Sequence, residues 1–124
     1  MATKFFKCRH CGNVVTKVVD SGVPVVCCGE KMEELIPNTV DASGEKHIPV
    51  VTRIDDCSIK VEVGSVAHPM LPEHHIAFIY VETEKGGMYV NLTDKPEAEI
   101  TVGDEKVIAV YEYCNLHGLW KTEL

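Results

Sequence analysis

From Ile48 onward, short apolar runs alternate with polar turn residues. Six of these runs are rich in β-branched and aromatic side chains and are predicted as strands, at residues 48–54, 57–63, 75–81, 88–92, 98–102 and 107–113. Turn signals separate them at Asp55-Asp56, Gly64-Ser65, Gly86-Gly87, Asp94-Lys95-Pro96 and Gly103-Asp104. No window repeats apolar residues at a helical spacing. The pattern therefore predicts an antiparallel β-sandwich or barrel.

The first 36 residues follow a different pattern. Valine-rich stretches flank a turn signal at residues 20–22, and they predict short strands around it. A segment this short buries too little apolar surface to fold by itself, so a bound metal is expected to stabilise it. Pro37 closes the segment, and the polar stretch 41–44 predicts a loop. We therefore expect a small metal-stabilised domain at residues 1–36 and a β-domain at residues 37–124.

Composition and charge argue against a disordered, a membrane-spanning or a nucleic-acid-binding protein. Of the 124 residues, 45% are hydrophobic and 25% charged, so the chain is not disordered. No apolar run approaches the roughly 20 residues that a membrane-spanning helix needs. The start of the chain carries no apolar leader, so the expected compartment is the cytoplasm. Of the net charge of −7, residues 1–40 contribute +1 and residues 41–124 contribute −8, and neither part is the basic surface that nucleic-acid binding needs.

Six cysteines and six histidines in a reducing compartment indicate metal binding or redox chemistry rather than disulfides. Cys8 and Cys11 form a C-x2-C motif, and the adjacent pair Cys27 and Cys28 begins sixteen residues beyond it. Four thiolates suit zinc or a single iron, and the spacing by itself favours structural zinc over redox iron. Adjacent cysteines bind one metal only with some distortion of the tetrahedron. His10, inside the motif, is expected to be an exposed loop residue.

A second group of candidate ligands is spread along the β-domain, at strand ends or in the adjoining loops. It comprises His47, His68, the pair His74 and His75, and a C-x2-H motif of Cys114 and His117. Each residue alone is more often a surface or core residue, but together they form a mixed imidazole and thiolate set suited to iron, copper or zinc. A blue-copper site needs a weak axial methionine, and none follows His117. The surplus of histidines favours five ligands with one open position, as a catalytic iron requires.

These motifs occur in a specific order: C-x2-C, Cys-Cys, EKHIP, HPM with a further histidine six residues after its own, and C-x2-H. In this order they resemble the desulfoferrodoxin type of superoxide reductase over essentially the whole chain. The resemblance implies a desulforedoxin-like domain at residues 1–36 and an immunoglobulin-like antiparallel β-sandwich at residues 37–124. Because all four N-terminal cysteines are present, the chain resembles the two-iron class.

The resemblance also implies a set of ligands. A rubredoxin-like iron is expected at Cys8, Cys11, Cys27 and Cys28. A second, square-pyramidal non-haem iron is expected to have the equatorial ligands His47, His68, His74 and His117 and the axial ligand Cys114. Successive strand side chains point to opposite faces, so only one of His74 and His75 reaches the metal, and the interval in the family selects His74. His75 is then expected to pack nearby, and Cys57 to be a small buried residue.

The function that the resemblance implies is an oxidoreductase activity, the one-electron reduction of superoxide to hydrogen peroxide without oxygen release. Lys46 is expected to add positive charge beside the second iron, and Glu45 to occupy its sixth position once it is ferric. A rubredoxin-like electron donor and a homodimer are the expected partners. The competing classes are a copper-zinc dismutase, which releases oxygen, and a non-catalytic iron or copper electron carrier.

Overall fold

The computed structural model describes residues 3–42 and 44–124 of the chain. Met1 and Ala2 of the predicted N-terminal domain, and Ser43 of the predicted loop, lie outside the described residues. Contacts divide the chain into two compact units, Met1–Ile36 and Pro37–Leu124. Within the described ranges, no helix is long and apolar enough to cross a membrane.

The first unit consists of strands only two or three residues long. Its antiparallel sheet has the order β2 (Val14–Thr16), β1 (Phe5–Lys7) and β5 (Glu33–Leu35). A separate hairpin pairs β3 (Val26–Cys27) with β4 (Glu30–Lys31). Much of the unit therefore consists of the turns that join these short strands.

The valines around residues 20–22 do not all form strands, although the sequence predicted short strands there. Only β2 and β3 are strands, whereas Val18, Val19 and Val23 lie in the loop between them and are exposed. The loop is closed by polar contacts instead, because Asp20 accepts hydrogen bonds from the Gly22 amide and the Lys17 ammonium. Local side-chain hydrogen bonds of this kind compete with strand pairing.

The second unit is a sandwich of two antiparallel sheets, as predicted. One sheet has the order β10 (Glu97–Thr101), β7 (Ser58–Val63) and β6 (Pro49–Arg53). The other has the order β12 (Gly118–Glu123), β11 (Val107–Cys114), β8 (Ile76–Thr83) and β9 (Gly86–Asn91).

The core of this unit lies between the two sheets. Every second residue of β7 is buried, at Ile59, Val61 and Val63, which is the alternation expected of a strand with one face on a core. The same cluster of buried side chains includes Val110 and Cys114 of β11. The Cys114 thiol is therefore held at one end of a packed apolar core.

Two elements of the second unit were absent from the sequence prediction. A single helical turn, α1 (Gly44–His47), begins at the last residue of the predicted loop. Strand β12 was missed because its sequence, GLWKTE, contains one β-branched residue and no β-branched run.

The prediction that Cys57 is a buried mid-strand residue is wrong. Cys57 is exposed and lies in the turn just before β7. Asp55 accepts the Cys57 amide at 2.8 Å, and the Cys57 carbonyl accepts the amide of Val102 at 2.7 Å. The Asp55 side chain thus bends the backbone at this point, and the strand begins only at Ser58.

Candidate metal centres

Four cysteines of the first unit lie together at two adjoining turns. The sulfur atoms of Cys8, Cys11, Cys27 and Cys28 are all within 4.8 Å of one another. The loop between β1 and β2, which carries Cys8 and Cys11, is called the knuckle below. In it the Cys8 amide donates to the Asn13 carbonyl at 2.9 Å, and the Gly12 amide donates to the Cys8 carbonyl at 2.9 Å.

The adjacent pair is accommodated by the β3–β4 hairpin. Cys28 and Gly29 form its two-residue turn, with φ of 53° and 76°. Positive φ at both central positions is the pattern of a type I′ turn, which matches the twist of the flanking strands. Cys28 is thereby in the left-handed region, where a residue other than glycine is strained by roughly 1–2 kcal/mol. The adjacent cysteines are thus brought together at the cost of backbone strain at Cys28.

Hydrogen bonds at these thiols favour the ionisation of one of them and oppose that of two others. The Cys11 amide donates to Cys8 Sγ at 3.5 Å and lowers the pKa of the Cys8 thiol to about 6. Hydrogen bonding with the Cys11 thiol raises the pKa of Cys27, and it raises the pKa of Cys28 to about 12. One thiolate forms readily here and opposes the ionisation of its neighbours, so a bound cation is needed for all four to ionise.

His10 is exposed, as predicted, but it has a specific partner. Glu30 on β4 accepts hydrogen bonds from Arg9, whose Nε lies 3.0 Å from Oε2, and it also pairs with His10 Nε2. These contacts join the knuckle to the hairpin at the surface. They lower the pKa of the Glu30 carboxyl, with the His10 contact as the main cause.

The second unit brings together all five residues predicted as ligands there. His47 ends α1, His68 lies in the loop after β7, and His74 is paired with Leu71 in an isolated bridge just before β8. Cys114 ends β11, and His117 lies in the turn that leads to β12. The five candidate ligands thus lie at or beside strand ends of both sheets. Rigid strands hold the loops at their ends in place, so these side chains can meet at one point.

The donor atoms of these five side chains face one another, all within 4.8 Å. His47 Nε2 is 3.1 Å from His68 Nε2 and 3.1 Å from His117 Nδ1. Cys114 Sγ is 3.5 Å from His68 Nε2 and 3.8 Å from His117 Nδ1. His47 and His68 therefore present Nε2 to the cluster, while His117 presents Nδ1.

The chemistry of this donor set fits a metal ion. The His68 Nδ1–H donates to the Pro69 carbonyl at 2.7 Å, which leaves Nε2 unprotonated and directed at the cluster. Burial lowers the pKa of His68 to about 4, so its imidazole is neutral. Within the described chain, the buried Nε2 of His74 has no hydrogen-bond partner. Buried nitrogens that face one another are satisfied by a cation among them, and the residues present fit iron with one thiolate.

Burial also raises the pKa of the Cys114 thiol. The backbone amides of Leu116 and His117 act in the opposite direction, because they hydrogen-bond the sulfur in the turn. A coordinated metal ion adds to that stabilisation of the thiolate.

His75 lies outside the cluster, as expected. Its ring Nδ1 donates to the Leu71 carbonyl at 2.9 Å and so closes the short segment that carries His74.

Glu45 and Lys46, the residues predicted to act beside the second iron, are exposed on α1 directly before His47. The turn at residues 64–66 holds this helical turn in place, since the Val66 amide donates to the Glu45 carbonyl at 3.0 Å. A Cβ at Gly64 would lie 2.5 Å from that carbonyl oxygen and 2.7 Å from Lys46 Cα. Gly64 also has φ of 78°, so both the close approach and the backbone conformation require glycine.

Trp120 was not among the predicted site residues. Its ring stacks on the His47 imidazole with centroids 5.0 Å apart, and its Nε1–H donates to the His117 carbonyl at 3.1 Å. It therefore contacts two members of the cluster. A single tryptophan three residues after a candidate ligand was the available signal in the sequence.

Two family models match the two units. One is described as "Desulfoferrodoxin" and matches residues 39–123, and the other as "Desulfoferrodoxin, N-terminal domain" and matches residues 2–35. The chain belongs to the desulfoferrodoxin family. The predicted membership is thereby confirmed.

Individual members of the family agree with this assignment. The desulfoferrodoxin of Nitratidesulfovibrio vulgaris is 44% identical over 97% of this chain and 95% of its own length. The superoxide reductase of Thermococcus kodakarensis is 36% identical and covers 68% of this chain and 90% of its own. The crystal structure of the superoxide reductase from Treponema pallidum superposes with a TM-score of 0.82 at 37% identity, covering 99% of this chain and all of that one.

Proposed function

We propose that this chain is a superoxide reductase, which reduces superoxide by one electron to hydrogen peroxide and releases no oxygen. The observation that carries the proposal is the buried cluster of four imidazoles and one thiol, whose donor atoms lie within 4.8 Å of one another. Family membership and the likeness to the Treponema pallidum superoxide reductase support it.

The two units have separate roles in this proposal. Residues 1–36 form the desulforedoxin-like domain, and a rubredoxin-like iron is held by Cys8, Cys11, Cys27 and Cys28. Residues 37–124 form the catalytic domain, and its iron is held by His47, His68, His74, His117 and Cys114. A ferrous iron held by these residues would supply the electron that superoxide accepts. Five protein donors would leave one position of a six-coordinate ion for the substrate.

The electrostatics of the second unit favour an anionic substrate at this point. The imidazole of His68 is neutral and contributes no charge. A single thiolate offsets only part of the charge of a divalent ion, so the site would remain positive. The remainder of the molecule has a net charge of −7 and repels anions, which makes the metal site a local exception. Lys46, exposed beside His47, attracts superoxide and donates hydrogen bonds to it. Glu45, on the same turn, completes the ligand set when the iron is ferric.

The proposed partners follow from the same assignment. A rubredoxin-like carrier returns the electron, and two copies of the chain form a homodimer. The proposed location is the cytoplasm, because the six cysteines form no disulfide and a reducing compartment keeps them available as metal ligands.

A stoichiometric assay tests the activity. Iron-loaded protein receives superoxide in the presence of an electron donor, and hydrogen peroxide, oxygen and consumed donor are measured together. We expect one peroxide and one donated electron for each superoxide, with no oxygen. Oxygen evolution would instead indicate a dismutase, and the absence of peroxide would indicate a non-catalytic electron carrier.

A further inference from the structure

Asn115 connects two ligand-bearing segments that are forty residues apart in the chain. Its side-chain Oδ1 accepts the His75 amide at 2.8 Å, and its Nδ2 donates to the Glu73 carbonyl at 3.0 Å. Its own backbone amide donates to the His75 carbonyl at 3.1 Å. Three hydrogen bonds thus attach the backbone on both sides of His74 to the residue that follows Cys114.

The strand ladder itself does not provide this connection. Pairing between β8 and β11 is regular from Ala109 to Tyr113, which pairs with Phe78, and it then shifts register so that Cys114 pairs with Ile76. His74 precedes Ile76 and lies beyond the regular pairing. The bridge of His74 to Leu71 and the bond from the His75 ring to Leu71 are local, and neither reaches the turn that carries Cys114 and His117.

We propose that Asn115 is a positioning residue that sets the location of His74 relative to Cys114 and His117. This inference rests on the ligand set proposed above. The five donor atoms lie within 4.8 Å of one another, so a displacement of the 73–75 backbone takes one donor away from the other four. Residues that orient metal ligands typically change metal affinity by about 10–100-fold when they are removed.

The test compares Asn115→Ala with the unmodified chain, each loaded with iron. One measurement is the rate of iron transfer from the second centre to a ferrous chelator. The other is the thiolate-to-iron absorption of the oxidised second centre, defined as the part of the spectrum that Cys114→Ser lacks. We expect iron release roughly tenfold faster or more, together with a shifted or weakened absorption. The four-cysteine centre is an internal reference and should not change.

Asn38→Gly is the matched control. Asn38 Nδ2 donates to the Lys121 carbonyl at 3.1 Å and its Oδ1 accepts the Lys121 amide at 2.9 Å, so the variant also removes two side-chain bonds to backbone. Glycine suits its φ of 61°. We expect iron release and absorption like those of the unmodified chain. The same change in Asn38→Gly as in Asn115→Ala would overturn the proposal, because the effect would then be general destabilisation.

Wild-type release and absorption in a folded Asn115→Ala variant would also overturn it. If that variant does not fold, Asn115→Asp takes its place. It keeps the acceptor for the His75 amide, but a carboxylate oxygen replaces the Nδ2 donor, so the hydrogen bond to the Glu73 carbonyl is lost. Faster iron release supports the proposal, and unchanged release overturns it. If the unmodified chain shows no absorption that depends on Cys114, the proposed ligand set fails, which is a result distinct from a failure at Asn115.

Discussion

The two units support their candidate ligands in opposite ways. In the first unit, the buried hydrophobic residues among positions 3–36 are Phe5, Met32 and the candidate ligand Cys8. In the second unit, an apolar cluster of eleven buried residues fills the space between two sheets, and only Cys114 belongs to both the cluster and the site. In the first unit a bound metal supplies the stabilisation that an apolar core would otherwise provide. In the second unit the sandwich has its own apolar core, and that core holds the metal ligands in place.

The acidic residues near the two centres show the same contrast. Glu30 is partly exposed and paired with Arg9 and His10, and its pKa is lowered. Glu112, two residues before Cys114, is fully buried, and its carboxyl oxygens have no hydrogen-bond partner within the described residues. Burial raises the pKa of Glu112 to about 9, so this side chain is neutral near pH 7. Ion pairs with Arg9 and His10 stabilise the carboxylate near the first centre, while burial disfavours a charged carboxylate near the second.

Removal of both metals should produce the largest difference between the units. We expect residues 5–35 to lose their protection from hydrogen exchange, because the first unit has little apolar core without its metal. Strands β7, β8 and β11 should remain protected, since the sandwich core contains no metal-dependent contact apart from Cys114. Hydrogen exchange with mass spectrometry on the full chain, with and without iron, measures both. Persistent protection of residues 5–35 in the metal-free chain would show that the contrast is wrong.

Cys114→Ser should change the spectrum and activity of the second centre and leave the four-cysteine centre unchanged. The variant is expected to lose the thiolate absorption of the second centre and to reduce superoxide at least about 100-fold more slowly, because the Cys114 thiolate would donate electron density to an iron held there. The spectrum of the four-cysteine centre should persist. Cys57→Ser is the control, since Cys57 is exposed and outside both clusters, and it should leave both properties intact. An unchanged second-centre spectrum in Cys114→Ser would remove this residue from the site.

Lys46→Ala should have a smaller effect, confined to capture of the anion. We expect the second-order rate with superoxide to fall about fivefold at low ionic strength and less at high salt, because screening weakens the attraction. Lys85→Ala removes an equal charge from the exposed turn between β8 and β9, at the opposite end of β8 from His74. Stopped-flow rates at several salt concentrations compare the two variants. Equal rates for both at low salt would exclude electrostatic guidance by Lys46.

Glu30→Ala should have the smallest effect, because its ion pairs are exposed to solvent. Loss of the link between knuckle and hairpin is expected to speed iron release from the first centre roughly twofold. The second centre should not respond. Glu33→Ala, at an exposed position of β5, provides the control for removal of an acidic side chain. A large effect of Glu30→Ala would mean that this surface contact, rather than the metal, holds the first unit together.

Six strands of the second unit were predicted from the sequence because each contains a run of β-branched and aromatic residues bounded by turn signals. β12 escaped the prediction because its sequence, GLWKTE, contains a single β-branched residue and no such run. Cys57 was assigned to a strand because residue type does not reveal that the Asp55 carboxylate bends the chain beside it. The choice between His74 and His75 needed the family interval, since β8 is largely buried on both faces.

The class of fold, the division near residue 36 and the two sets of candidate ligands could be inferred from the sequence, because β-branched runs, turn signals and cysteine spacing are local properties. Which atoms meet depends on the tertiary structure. It brings His47 and His117, seventy residues apart, to 3.1 Å, and it identifies the contacts that hold the ligands: Trp120 on His47, Gly64 beneath Lys46, and Asn115 beside His74. Contacts of this kind depend on where strands end and how their loops pack, and no local pattern encodes them.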